Sequence, residues 1–98
     1  MPREIEYGPH PRRDLYEIWA YVASDNPSAA DKLIARFTET FKALAVNPML
    51  GRSRDELRAG LRSLPQGRYV VFCRQEGRSL QILRILSSYR HVGAEFFS

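Results

Sequence analysis

The sequence predicts an α+β domain: an N-terminal strand, an antiparallel two-helix hairpin, then a three-stranded antiparallel meander. Three observations carry this. Apolar residues between Leu15 and Leu44 recur at helical spacing in two runs, split by Asp25-Asn26-Pro27. From Leu61 onward the apolar runs shorten and fill with β-branched and aromatic residues, punctuated by Pro65-Gln66-Gly67 and Gln75-Glu76-Gly77-Arg78. Helices and strands are therefore segregated along the chain, as in folds that lay helices on one face of an antiparallel sheet.

Each element has a local reason. Glu4-Ile5-Glu6-Tyr7 alternates polar and apolar, the period of a strand with one buried face. Gly8-Pro9-His10-Pro11 ends it, and Pro11 suits a first helical turn, where a missing N–H costs nothing. Leu15, Ile18, Trp19 and Val22 form the first apolar stripe, which places Trp19 in the core, on a helix ending near Ser24. Asn26 is a good N-cap and Pro27 a good first residue for the second helix. Its stripe is Ala30, Leu33, Ile34, Phe37, Phe41 and Leu44, and Asn47-Pro48 breaks it. So short a link between amphipathic helices makes a hairpin. Residues 49–60 read as a loop with at most one helical turn. Leu61–Leu64, Tyr69–Cys73 and Leu80–Leu86 read as the meander, Tyr69–Cys73 dense enough in β-formers to be buried on both faces and Leu80–Leu86 again mostly apolar. The sheet face away from the helices then needs a cover or a partner.

Length and composition bound the function. The 98 residues form one domain, 1–98, with no room for a second. No apolar run approaches the ~20 residues of a membrane-spanning helix, and the N-terminus lacks a secretory pattern; the expected location is cytoplasmic. One cysteine, Cys73, excludes an internal disulfide, and its apolar setting reads as a buried strand position rather than a nucleophile. His10 and His91 lack cysteine or paired acidic neighbours at ligand spacing, so no metal site and no cofactor are expected.

Charge is distributed unevenly. Residues 1–51 carry six basic and seven acidic side chains; residues 52–98 carry nine arginines against four acids. Arginine's planar fork grips carboxylates and phosphates at two points. This half therefore suits an acidic partner, protein or nucleic acid, unless it is simply a solvated basic surface.

Several short motifs resemble the ParE branch of the RelE/ParE toxin superfamily across nearly the whole chain. Asp14-Leu15, Ile18-Trp19 and Tyr21 are similar to "DL..IW.Y"; Pro48, Gly51-Arg52, Arg54 and Glu56-Leu57 to "P..GR.R.EL"; and Gly60-Leu61-Arg62-Ser63 to "GLRS". Tyr69-Val70-Val71-Phe72 resembles "Y.IF", and Ile82-Leu83-Arg84-Ile85-Leu86 resembles "I.RIL". The sequence departs from the pattern at Ser87, where histidine is common, at Arg90-His91, where Arg-Asp is common, and at Cys73, where tyrosine is frequent.

The resemblance implies a RelE/ParE-like fold and the toxin of a type II toxin–antitoxin module. In the ParE branch the toxin poisons DNA gyrase by binding it, and the C-terminal region is implicated in toxicity. Arg90, His91, Phe96 and Phe97 are then the target-binding candidates, although the two phenylalanines could equally tuck into the core. RelE-type relatives instead cut messenger RNA on the ribosome without a metal, which requires a base, an acid and cations around the phosphate. Tyr89, Arg90 and His91 would supply these if the segment were extended, with Tyr89 and His91 on one side. The alternative is a strand end with one packed aromatic and two solvated cations. Such nucleases usually carry arginine directly after the strand tyrosine, where this chain has Val70. A third possibility is an antitoxin-binding relic without toxicity.

The implied partner is a cognate antitoxin whose acidic, partly disordered C-terminal segment wraps the toxin as a hetero-oligomer. Arg58, Arg62, Arg74 and Arg84 are the candidates to pair with it, the competing reading being internal pairs with Asp55, Glu56 or Glu76. DNA is expected to be contacted through the antitoxin; direct binding by stacking on Trp19 and Tyr21 is the weaker reading.

Overall fold

Two proline-led helices set the frame. In the computed structural model, which describes residues 1–97, strand β1 (Glu4–Tyr7) runs into helix α1 (Pro9–Ala23), and helix α2 covers Pro27–Val46. α1 starts at Pro9 behind an N-cap Gly8, so Pro9 and Pro11 both lie in the first turn, where no intrahelical N–H is needed. The Asn26 side chain accepts from the Ala29 N–H at 3.1 Å, and Pro27 opens α2. Trp19 and Asp31, nearly equidistant from the link between the helices, meet through a 2.9 Å hydrogen bond from Nε1 to Oδ1, as an antiparallel hairpin requires. That contact corrects one expectation. Trp19 is 37% exposed at the seam of the hairpin and stacks on Tyr16 rather than entering the core. The inward stripe of α1 is narrower, with Asp14 and Ile18 its buried members beyond the first turn.

After a 3-10 turn at Pro48–Leu50 come β2 (Arg52–Ser53), β3 (Leu61–Gln66), β4 (Tyr69–Glu76) and β5 (Ser79–Ser87), then a 3-10 turn at Ala94–Phe97. The stretch read as a loop thus holds a short extra strand. The sheet has five strands in the order β1-β5-β4-β3-β2. β3, β4 and β5 form the expected antiparallel meander. β1, however, joins β5 in parallel, Glu4 facing Ser79 and Tyr7 facing Ile82, so the sheet is mixed rather than antiparallel. The helical hairpin carries the chain over one face before the meander returns, and this leaves the first and last strands side by side.

Both meander hairpins turn on two residues, Gly67-Arg68 and Gly77-Arg78, with the glycines at φ +58° and +59°. A glycine at positive φ in the first central position is what a tight II′ hairpin uses. β3 therefore runs two residues further than expected and contains Pro65. β2 pairs only with Arg62 and Ser63, so Pro65 stands on an unpaired edge, where its missing N–H breaks no ladder.

Two apolar layers flank the sheet. Phe37, Phe41 and Leu44 of α2 and Ile18 of α1 pack on Val71, Cys73, Leu80, Ile82 and Ile85. The opposite face is the one that needs a cover or a partner. It is covered by the chain itself: Leu61, Phe72, Leu86 and Phe97 form a second buried cluster, flanked by Leu57, Val70, Leu83, Val92 and Phe96. The reason is the C-terminal 3-10 turn, which lays Phe97 against Phe72 with ring centroids 4.9 Å apart. No helix among the described residues is long and apolar enough to cross a membrane.

Candidate functional site

The site forms where β5 outruns β1. β1 stops opposite Ile82, so β5 from Leu83 onward has strand β4 on one side only. Just there the register shifts: Cys73 faces Ile82 but Phe72 faces Arg84, leaving Leu83 as an extra residue on β5. Such a bulge re-aims the following side chain. It lets Ile82 and Ile85, three apart, both face the helices, and it brings Arg84 to the open edge.

Asp14 of α1 closes that edge. Its Oδ2 accepts the Ile85 backbone N–H at 3.0 Å and the Arg84 Nε–H at 2.8 Å, and its Oδ1 accepts from Arg84 Nη2 at 2.9 Å. One carboxylate thus stands in for a missing strand and clamps a guanidinium at two points. The pair is largely buried, the side chains 16% and 8% exposed. The Asp14 hydrogen bond holds Arg84 above the ordinary arginine range. Arg84 also lies over the Phe96 ring at 5.4 Å, and Arg90 lies over the same ring at 5.5 Å.

β5 ends at Ser87 and the chain turns: the Arg90 N–H bonds the Ser87 carbonyl at 3.1 Å, and the Tyr89 N–H lies 3.3 Å from Ser87 Oγ. A cleft of about 300 Å³ opens under this turn, lined by Arg54, Val70, Phe72, Ser87, Ser88, Arg90, His91 and Val92. A second, of about 230 Å³, lies on the α1 side and shares Ser87 and Arg90 with the first. It is lined there by Asp14, Glu17, Tyr21 and Tyr69. Arg54 is half-tethered: Nε–H donates to Glu56 at 2.8 Å, Nη1 reaches Ser63 Oγ at 3.4 Å, and the guanidinium lies over Phe72 at 5.7 Å.

The sequence-predicted residues fall as follows. Arg90 and His91 line the first cleft together. Tyr89 does not; it is 85% exposed, because residues 88–90 form a turn rather than the extended segment that would align Tyr89 with His91. The Tyr89, Arg90, His91 constellation is therefore not assembled, and no phenol lines the cleft that holds the imidazole. Phe96 lies beneath Arg84 and Arg90, whereas Phe97, 5% exposed, belongs to the second apolar cluster.

Among the arginines expected to pair with a partner, Arg58 donates to the Phe97 carbonyl at 2.8 Å and Arg62 to the Gly51 carbonyl at 2.7 Å. Arg74 stands 3.7 Å from Glu76, and Arg84 is occupied by Asp14. Of the internal acids considered, only Glu76 pairs with one of these four arginines. Asp55 instead accepts from Ser53 and the Gly60 N–H, and Glu56 holds Arg54; those bonds lower both carboxyls below their ordinary range.

Asp14, Arg54, Ser87 and Ser88 had no assigned role in the sequence. Asp14 and Arg84 both stood in recognised motifs, but 70 positions separate them and nothing local links them. Burial pushes the Cys73 thiol up to about 11, which fits a strand residue and not a nucleophile. Among the described residues no group of histidine, cysteine and acidic side chains could hold a metal ion. The first cleft offers guanidinium, imidazole and hydroxyl groups over an apolar floor, a composition for holding an anion.

Comparison with known proteins shows the family. Residues 5–91 match the family model described as ParE toxin of type II toxin-antitoxin system, parDE. The chain is 32% identical over 83 residues to toxin ParE3 of Caulobacter vibrioides, covering 84% of this chain and 83% of that one. Among solved structures it is similar to the chromosomal ParDE toxin–antitoxin system of P. aeruginosa. The TM-score is 0.72 at 26% identity, over 87% of this chain and 95% of the other. It shares its fold with the RelBE2 toxin–antitoxin complex of Mycobacterium tuberculosis, with a TM-score of 0.63 at 24% identity over 89% and 99% of the two chains.

Proposed function

The chain belongs to the ParE toxin family of type II toxin–antitoxin systems, and on that premise we propose that it inhibits DNA gyrase by direct contact and is silenced by a cognate antitoxin. The observation that carries the choice of inhibition over RNA cleavage is the floor of the cleft. Val70 lies beside Arg90 and His91, at the position where a cleaving relative would place a cation, and Tyr89 is turned away from it. An aliphatic side chain neither binds nor polarises a phosphate, and a lone imidazole cannot act as both base and acid in one step.

Support for the antitoxin comes from the similar solved structures, both of them toxin–antitoxin systems. Its acidic segment has Arg58, Arg62 and Arg74 to engage. Each has one internal contact or none beyond a long ion pair and retains donors. Arg84 contributes by holding the β5 edge in place. Because the second sheet face is already covered by Phe97, the antitoxin adds charge pairing and surface burial rather than a missing core layer.

Two assays test this. Purified protein is added to gyrase and relaxed plasmid, and total RNA from induced cells is mapped for new ends. Lost supercoiling with intact transcripts is the expected outcome; cut transcripts with normal supercoiling refute it in favour of a nuclease. Neither effect, with the adjacent upstream reading frame's product still forming a complex by size-exclusion chromatography, identifies a relic. No complex with that product refutes the proposed partner.

A further inference from the structure

We infer that the cleft between Arg54 and the Ser87–Val92 turn is a carboxylate pocket that receives an acidic side chain from a protein partner. This deepens the proposed contact site and rests on the toxin reading for its biological use, though not for its chemistry. The polar lining is Arg54, Ser87, Ser88, Arg90 and His91; no acidic side chain lines it, and Glu56 reaches only Arg54 Nε. Arg90 is exposed and, among the described residues, its guanidinium has no hydrogen bond or ion pair, only the Phe96 ring at 5.5 Å. A guanidinium lying over a ring keeps its in-plane donors free for two-point capture of a carboxylate. Arg54 is fixed through Nε and Nη1, which among the described residues leaves its second terminal nitrogen without a hydrogen bond.

The floor separates a carboxylate from a nucleic acid. Val70 and Val92, both half-buried, form it above the buried Phe72, a surface that would bury the methylenes of a glutamate and strengthen the charge-assisted bonds above them. Binding of single strands relies on open aromatic faces on which bases stack. Here Phe72 is 1% exposed, and Phe96 already carries two guanidiniums. Among the lining residues the His91 imidazole is the one ring left with an open face.

The carboxylate could come from the antitoxin or from the target, and a single experiment separates them. The 15N-labelled full chain is titrated by NMR with a short acetylated peptide alternating glutamate and leucine, with its glutamine counterpart, and with oligothymidylate. The inference expects amide shifts concentrated at Arg54 and residues 87–92. Arg90→Gln should weaken binding about tenfold, as does loss of one charge-assisted pair, while the remote, exposed Arg36→Gln should leave it unchanged. Thermal melts confirm that both variants fold. Equal binding of the glutamine peptide, equal loss in both variants, or Arg90-dependent oligothymidylate binding tighter than the peptide's overturns it. Repeating the titration on the antitoxin complex tests the first source: a blocked cleft assigns the carboxylate to the antitoxin, and an open one excludes the antitoxin. No gyrase is present, so failure of the gyrase reading leaves this result standing.

Discussion

Replacing Asp14 by alanine removes three hydrogen bonds at once. Arg84, 16% exposed, loses its counter-ion, and the Ile85 N–H on the unpaired edge of β5 loses its acceptor. Breaking a buried ion pair from one side costs about 3–5 kcal/mol, and an orphaned buried N–H is included in that range when the same group served both. Arg84 retains some solvent and the Phe96 ring, so we expect a loss of about 3–4 kcal/mol. A domain of this size has about 5–15 kcal/mol in all, and about 4–8 °C is lost per kcal/mol, which lowers the melting temperature by about 12–30 °C. Asp14→Asn keeps a neutral acceptor and should lose about half as much. The double change Asp14→Leu with Arg84→Met removes both charges, leaves only the N–H unsatisfied, and should lie within about 1–2 kcal/mol of the parent. Urea unfolding followed by circular dichroism measures all three. A loss below about 1 kcal/mol for Asp14→Ala, the value of an exposed pair, would show that the carboxylate does not seal the sheet edge.

Three further outcomes are expected. The Cys73 thiol, raised to about 11 by burial, should resist thiol reagents in the folded chain and react at once on unfolding. Because its folded value lies above the unfolded one, its contribution is complete below about pH 8.5 and is lost as pH rises toward 11; Cys73→Ala should flatten that alkaline decline in urea midpoints. Phe97→Ala empties a site that is 5% exposed and should cost about 3 kcal/mol, the low end for a buried phenylalanine, since the tail can partly collapse; an effect within error would place the tail off the sheet. Trp19 fluorescence should be readily quenched by acrylamide, as befits a ring 37% exposed, whereas quenching only after unfolding would return the indole to the core.

Local chemistry in the sequence was enough to place the helices and hairpins. Asn26-Pro27 and Asn47-Pro48 bound α2 because caps and fixed φ act within one turn, and Gly77 marks its hairpin because positive φ selects glycine. Features set by distant partners were not legible. Nothing in Glu4–Tyr7 distinguishes a parallel from an antiparallel neighbour, and the choice depends on Ser79–Ile82. The helical spacing of Trp19 is real, yet Asp31 on α2 draws it to the seam. For the site, Arg90 and His91 were legible as a basic pair, but the turn at Ser87 that excludes Tyr89 is a property of where β5 ends. Arg54 was visible only as part of a motif, since its place beside Arg90 comes from β2 pairing with β3 and β3 with β4.

The side-by-side first and last strands also set a timetable. Glu4 cannot dock until Ser79 exists, roughly 75 residues later in synthesis, and closing so long a span is among the slower steps a small domain takes. While the ribosome is still making the meander, the N-terminal strand and helical hairpin wait without their sheet. Asp14 likewise waits for Arg84. The cleft needs both Arg54 and the Ser87–Val92 turn, so it cannot take shape until the chain has been made past Val92.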